Sequence, residues 1–190
     1  MTAELSRVQL AEPIDVLYRI KRGMAAYISY LAACEMNESF SEYVLYEPIL
    51  RILTARGYVV QCEVDCPGIK HQKVGDRKRL DFVATKGRTE FALEVKWAGK
   101  QSLDVERDVL KLMAYRKDSK RAARAFLCVF GRQSIVADVR LRTGESEGHL
   151  AQQGKIVTAD LGKTKYSCRI FEETAPNKSL QPTPRSARGG

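Results

Sequence analysis

The chain has only two histidines in 190 residues, His71 and His149. Neither has a Ser, Cys or Asp partner at a telling spacing, so a triad hydrolase has no support. No segment approaches the roughly 20 apolar residues of a membrane-spanning helix, and the N-terminus lacks a basic stretch leading into an apolar run and a small-residue cleavage site. The expectation is a cytoplasmic protein without membrane contact. Five cysteines (Cys34, Cys62, Cys66, Cys128, Cys168) are an odd number at irregular spacings. Three lie in apolar runs such as 126–130, so they read as small reduced hydrophobes rather than a disulfide framework. Cys62-x-x-x-Cys66 with His71 lacks a fourth zinc ligand. In the stretch "AGKQS" (98–102), Glu94 stands where a phosphate loop needs its upstream glycine, which excludes a nucleotide loop. There are no internal repeats.

Acidic residues are also in deficit, 23 against 32 Lys and Arg, giving a net charge of +9 and a pI near 9.4. That balance favours a polyanionic partner, because each cation placed on a phosphate backbone releases a counterion. Ribosome-associated, membrane-surface and plain basic proteins share it. A hydrophobic fraction of 44% with 29% charged residues describes one globular domain able to bury a core.

Apolar residues at Ile14, Leu17, Ile20, Met24, Ile28 and Leu31 predict an amphipathic helix from Pro13 to about Glu35, with Lys21 and Arg22 on its polar side. Ser39 to Glu42 fits a capping box that opens a second helix running to Gly57, with Pro48 kinking or restarting it. Tyr58 to Cys66 alternates like a strand, and a basic loop (70–79) leads to a hairpin. Ser102 is expected to cap a helix to Lys117, and the apolar run 123–131 a strand buried on both faces. Further strands are expected at 134–141, 156–160 and 166–172. The proline-bearing end, from 174, should be disordered.

The hairpin is the informative element. Segments 81–85 and 90–97 are joined by Lys86-Gly87-Arg88-Thr89, which suits a two-residue type II′ turn with Gly first. If Lys86 pairs with Thr89, Asp81 falls across from Glu94. Phe91, Leu93, Val95 and Trp97 then share a core face, and Ala92, Glu94 and Lys96 share the other. Two carboxylates so placed repel by about 4 kcal/mol at ~4 Å and an effective dielectric near 20. Lys96 offsets part of this, and a divalent cation held by both would offset more, as a hard-oxygen metal site. The alternative is a solvated face, where a one-residue slip would separate the two acids.

Asp81 followed by Glu94-Val95-Lys96, on a hairpin between a Glu-bearing helix and a helix–strand pair, resembles the PD-(D/E)xK nuclease superfamily. The resemblance covers roughly residues 39–131, with Leu80 where the family's proline would stand. It implies an α/β domain, a central mixed β-sheet flanked by helices with a restriction-endonuclease-like αβββαβ core, spanning 39–173 after an N-terminal helical extension (1–38). It implies Asp81 and Glu94 as ligands of Mg²⁺, with Mn²⁺ as a substitute, helped by the Val95 carbonyl. Lys96 would position the attacking water and stabilise negative charge. Glu47 would support the site from the preceding helix, with Glu42 competing for that role. Lys111 to Tyr115 is similar to the Gln-x-x-x-Tyr motif of the exonuclease-like branch, with Lys in place of Gln; the alternative for Lys111 is a solvated helix residue.

The function implied is metal-dependent phosphodiester hydrolysis, on DNA in preference to RNA. Lys70, Lys73, Arg77, Lys78 and Arg79 would hold flanking phosphates, and Arg116, Lys117, Lys120, Arg121 and Arg124 would form a second groove wall. A homodimer through the N-terminal helix is a further option. The rival readings are a silent nucleic-acid-binding module and a basic protein-interaction domain.

Overall fold

A computed structural model describes residues 12–36, 43–67, 78–119 and 123–174. Helix α1 (Ile14–Ala33) begins after Pro13. A 3₁₀ turn (Tyr43–Leu45) leads into α2 (Tyr46–Ala55), whose first turn holds Pro48, so the proline marks a restart. The capping box lies outside the described residues. Gly57, at φ 79°, ends α2 as expected, with the Tyr58 amide donating to the Leu53 carbonyl at 3.1 Å. Strands β1 (Val59–Asp65), β2 (Arg79–Lys86) and β3 (Thr89–Ala98) follow. A short β4 (Ser102–Asp104), α3 (Glu106–Asp118) and β5 (Arg124–Arg132) complete a helix, three strands, helix and strand in the expected order.

The chain continues through α4 (Gln133–Val136), β6 (Arg140–Arg142), β7 (Leu150–Gln152), β8 (Val157–Ala159) and β9 (Tyr166–Glu173). The main sheet runs β1-β2-β3-β5-β9-β7, with β8 also on β9; β4 and β6 form a separate pair. Only β3 and β5 pair in parallel within the main sheet, so it is mixed. Helices flank both faces. One layer packs α1 and α2 on Phe82, Phe91, Leu93, Phe126, Phe130 and Ile170. The other packs α3 and Val136 of α4 on Val83, Ala92, Ala125, Leu127 and Val129. The N-terminal helix therefore shares its core with the sheet.

Three local expectations are corrected. Ser102 does not cap α3: Leu103 and Val105 alternate into the core, so 102–104 is extended and pairs with 140–142. The helix starts at Glu106, whose amide donates to Asp104 Oδ1 at 3.3 Å. The segment 134–141 is not one strand. Ile135 and Val136 are adjacent apolar residues, which suits a helical turn, and the carbonyls of Val136 and Ala137 are satisfied by Arg169 at 3.1 and 3.2 Å. Lys21 is buried on α1 rather than solvated, its Nζ donating to the carbonyls of Gln153 and Lys155 at 2.8 and 3.0 Å. The C-terminal tail beyond Thr174 lies outside the described residues. No helix among the described residues is long and apolar enough to cross a membrane.

The hairpin register is the expected one: Lys86 pairs with Thr89, and the ladder runs to Phe82 opposite Leu93. In the turn, Gly87 has φ 57° while Arg88 is not at positive φ, the pattern of type II′. Near Asp81 the alternation changes phase. Phe82 packs in the α1–α2 layer, yet Leu80, two residues away, packs in the α3 layer. On β1, Val60 and Val64 divide in the same way, around Glu63 at φ 53°. A left-handed non-glycine residue costs about 1–2 kcal/mol. Burying a phenylalanine such as Phe82, fully inaccessible, contributes about 1.5–3 kcal/mol and offsets it.

Candidate active site

Beyond Phe82 and Leu93, β2 and β3 part. Arg79 and Leu80 stay paired with β1, while Glu94 to Ala98 stay paired with β5. At this fork the two carboxylates replace the missing backbone ladder. The Val95 amide donates to Asp81 Oδ2 at 2.7 Å, and the Asp81 amide donates to Glu94 Oε1 at 3.3 Å. Asp81 and Glu94 thus face each other across the gap, held by each other's strand.

Three other elements supply neighbours. From α2, the Tyr46 hydroxyl donates to Asp81 Oδ1 at 2.6 Å, and its oxygen lies 3.1 Å from Glu63 Oε1 on β1. From α3, Lys111 Nζ lies 2.5 Å from Glu94 Oε2, 2.9 Å from the Arg79 carbonyl and 3.4 Å from Asp108 Oδ1. The other oxygen of Asp108 is 3.2 Å from Lys96 Nζ. Asp108 therefore bridges two lysines that come from a strand and a helix.

These groups line a pocket of about 710 Å³ in which every lining residue except Tyr46 and Val95 is charged. Burial raises the Asp81 carboxyl above its ordinary range, while the Tyr46 hydroxyl and the Val95 amide pull it back. Burial and the Asp81 charge push Glu94 well up, against the pull of Lys111. Burial also raises the Tyr46 hydroxyl, aided by its bond to Asp81, so it stays a donor. For Lys111 burial pulls down, but Glu94 and Asp108 outweigh it and the ammonium is held charged. Cys66, behind α3, is pushed to about 11 chiefly by burial, so its thiol is protonated near neutrality.

The residues fit a hard divalent cation in donor chemistry. Asp81 and Glu94 offer carboxylate oxygens, and Val95 a carbonyl on the same strand. Among the described residues, no three His, Cys, Asp or Glu side chains converge as an ion cage. Mg²⁺ does not require one, since it keeps several waters and is commonly bound through one or two carboxylates plus substrate phosphates.

The structure brings Asp81, Glu94, Val95, Lys96, Lys111, Lys78 and Arg79 into this pocket. It does not bring Glu47, which is exposed and paired with Arg51 along the outer face of α2. Lys117 is exposed on α3. Arg116 is engaged away from the pocket, its Nη1 lying 2.7 Å from the buried Glu173 carboxylate. Arg124 is held by both Glu172 oxygens at 2.6 and 2.7 Å. Lys70, Lys73, Arg77, Lys120, Arg121, Glu42 and His71 lie outside the described residues. Sequence reading missed Tyr46, Glu63, Asp104, Glu106, Arg107 and Asp108. Asp108 carried a signal, standing three residues before Lys111 on the same helical face. Tyr46 and Glu63 carried none, because their place depends on how α2 and β1 meet β2. Compared with known protein families, curated proteins and solved structures, the chain finds no match.

Proposed function

We propose that this chain is a metal-dependent nuclease, acting on DNA in preference to RNA, with a restriction-endonuclease-like core. The observation that carries the reading is the fork, where Asp81 and Glu94 stand face to face with Lys96 two residues further along the same strand. The order of elements around them supports the same resemblance. The lining carries both signs, with the acids Glu63, Asp81, Glu94, Asp104, Glu106 and Asp108 beside the bases Lys78, Arg79, Lys96, Arg107 and Lys111, so a cation and phosphate oxygens would each find opposite charge there.

Asp81, Glu94 and the Val95 carbonyl would hold Mg²⁺. When bound, the ion would neutralise charge developing on the phosphate and make a bound water more acidic. The chain's own residues do the rest. Lys96, kept in place by Asp108, offers its ammonium to the attacking water and to the phosphate oxygens as the water oxygen bonds phosphorus and the bond to the leaving oxygen breaks. Tyr46 fixes Asp81 by holding Oδ1, while the Val95 amide holds Oδ2. Lys78 and Arg79, exposed at the rim, meet flanking phosphates.

The test is incubation of the purified protein with supercoiled plasmid and with single-stranded DNA, under Mg²⁺, Mn²⁺ or EDTA, beside Glu94→Ala and Lys96→Ala. Metal-dependent cleavage lost in both variants is the expected result. No cleavage, with intact salt-sensitive DNA binding, would replace the nuclease by a binding module.

A further inference from the structure

Both oxygens of Glu94 are already occupied. Oε1 accepts the Asp81 amide, and Oε2 meets Lys111 Nζ at 2.5 Å, in a side chain only 3% exposed. A cation shared by Asp81 and Glu94 therefore competes with an ammonium seated on one of its ligands. An ammonium has three donors. Lys111 gives one to Glu94 and one to the Arg79 carbonyl, and it is ion-paired with Asp108 at 3.4 Å. The last two belong to neither member of the facing pair, so they can retain the group when Glu94 is taken from it.

Resting on the nuclease reading, we propose that Lys111 is a built-in counter-ion which a divalent cation displaces from Glu94, and which then turns its freed donor to an oxygen of the substrate phosphate. Asp108 and the Arg79 carbonyl keep the displaced ammonium beside the pocket. Until a metal arrives, that donor faces a carboxylate, so phosphate and metal engage in order.

Lys96 provides the control. It lines the same pocket with the same charge, but its partner is Asp108 rather than a facing carboxylate. A plain field effect would make both lysines weaken metal binding alike. Displacement makes Lys111 the dominant competitor.

The experiment is a Mn²⁺ titration of the full chain without DNA, reading free Mn²⁺ by electron paramagnetic resonance at fixed ionic strength. Wild type is compared with Lys111→Gln, Lys111→Arg, Lys96→Gln and Glu94→Gln, each checked by circular dichroism. Lys111→Gln is expected to bind Mn²⁺ about ten- to a hundredfold more tightly, the range set by the loss of one charge-assisted hydrogen bond. Lys96→Gln should change affinity by about threefold or less, and Lys111→Arg, which keeps the charge, should stay near wild type. Equal tightening in both glutamine variants, or none in Lys111→Gln, overturns the displacement while leaving the metal site intact. If Lys111→Gln does not fold, tightening in Lys111→Arg equally overturns it, and wild-type affinity there supports it. Mn²⁺ binding absent from every protein, or unaffected by Glu94→Gln, overturns the nuclease reading and the displacement with it.

Discussion

The hydroxyl of Tyr46 donates to Oδ1 of Asp81 at 2.6 Å, tying the first turn of α2 to the strand that carries the carboxylate. The ring itself packs on Phe82, with centroids 4.6 Å apart. Tyr46→Phe keeps that packing and removes only the hydroxyl. Hydrogen bonds to charged groups are worth about 1.5–3 kcal/mol, so the melting temperature should fall by several degrees, at about 2–4 °C per kcal/mol, and cleavage below the transition by roughly ten- to a hundredfold. A plasmid-nicking time course on the two proteins checks this, and unchanged rates would show that Asp81 needs no support from α2.

Asp81→Asn should abolish cleavage, spare DNA binding and raise thermal stability at neutral pH. Burial raises the Asp81 carboxyl in the folded state, so the ionised form is a cost to folding. That cost is fully present above the raised folded value and disappears as pH falls below the ordinary carboxylate range near 4. The melting advantage of the variant should follow the same course, at about 2–4 °C for each kcal/mol in a chain of this size. Melting curves from pH 4 to 8, with EDTA present, would refute this if the gap widened towards acid.

Arg116, expected from the sequence as part of a groove wall, is engaged by Glu173, and a structural role for it is the prediction to test. Its guanidinium donates to both the carboxylate and the backbone carbonyl of Glu173, at 2.7 and 3.0 Å, and Glu173 is 4% exposed. Arg116→Ala leaves that carboxylate buried with His149 Nδ1 at 3.4 Å as its other partner. Because Arg116 is itself about a third exposed, a loss of about 1–3 kcal/mol is expected, below the range for fully buried pairs. DNA affinity measured below the melting transition should be unchanged; a selective loss of affinity would return Arg116 to the interface.

Gly131 lies where β5 passes the end of β3. A Cβ built there would stand 2.7 Å from the Ala98 carbonyl. Gly131→Ala should therefore destabilise the parallel β3–β5 pair by about 1–3 kcal/mol through overpacking, read from a chemical denaturation midpoint. Gly148→Ala makes a useful companion, since a Cβ there meets nothing within 4 Å and only its φ of 81° is strained.

The hairpin was legible because every level of the sequence agreed on it: Gly87 first in a two-residue turn, apolar alternation on 91–97, and one face given over to charge. The register followed, and with it the facing of Asp81 and Glu94. Lys111 was legible only as an echo of a motif, since a lysine on a helix reads equally well as solvated until α3 is laid across the sheet. Glu47 drew attention by its position before Gly57, but helical rotation puts its neighbour Tyr46 into the pocket instead. The phase change at Glu63 and Asp81 had no sequence signal, because no glycine marks the left-handed residue. Segments 102–104 and 134–141 went astray through local ambiguity: short apolar runs suit a strand or a helical turn equally until their partners are known.

Because β2 and β3 separate at the fork, the Val95 amide is bonded to a side chain where a regular ladder would give it a carbonyl. Its proton is thus a built-in probe. An amide facing a carboxylate senses that group's charge directly, so the ¹⁵N–¹H resonance of Val95 should move when Asp81 is protonated or takes up a cation. Amides deeper in the ladder, such as Ala92 opposite Val83, should stay still. The break in the sheet gives the pocket a reporter that needs neither an attached probe nor a substrate.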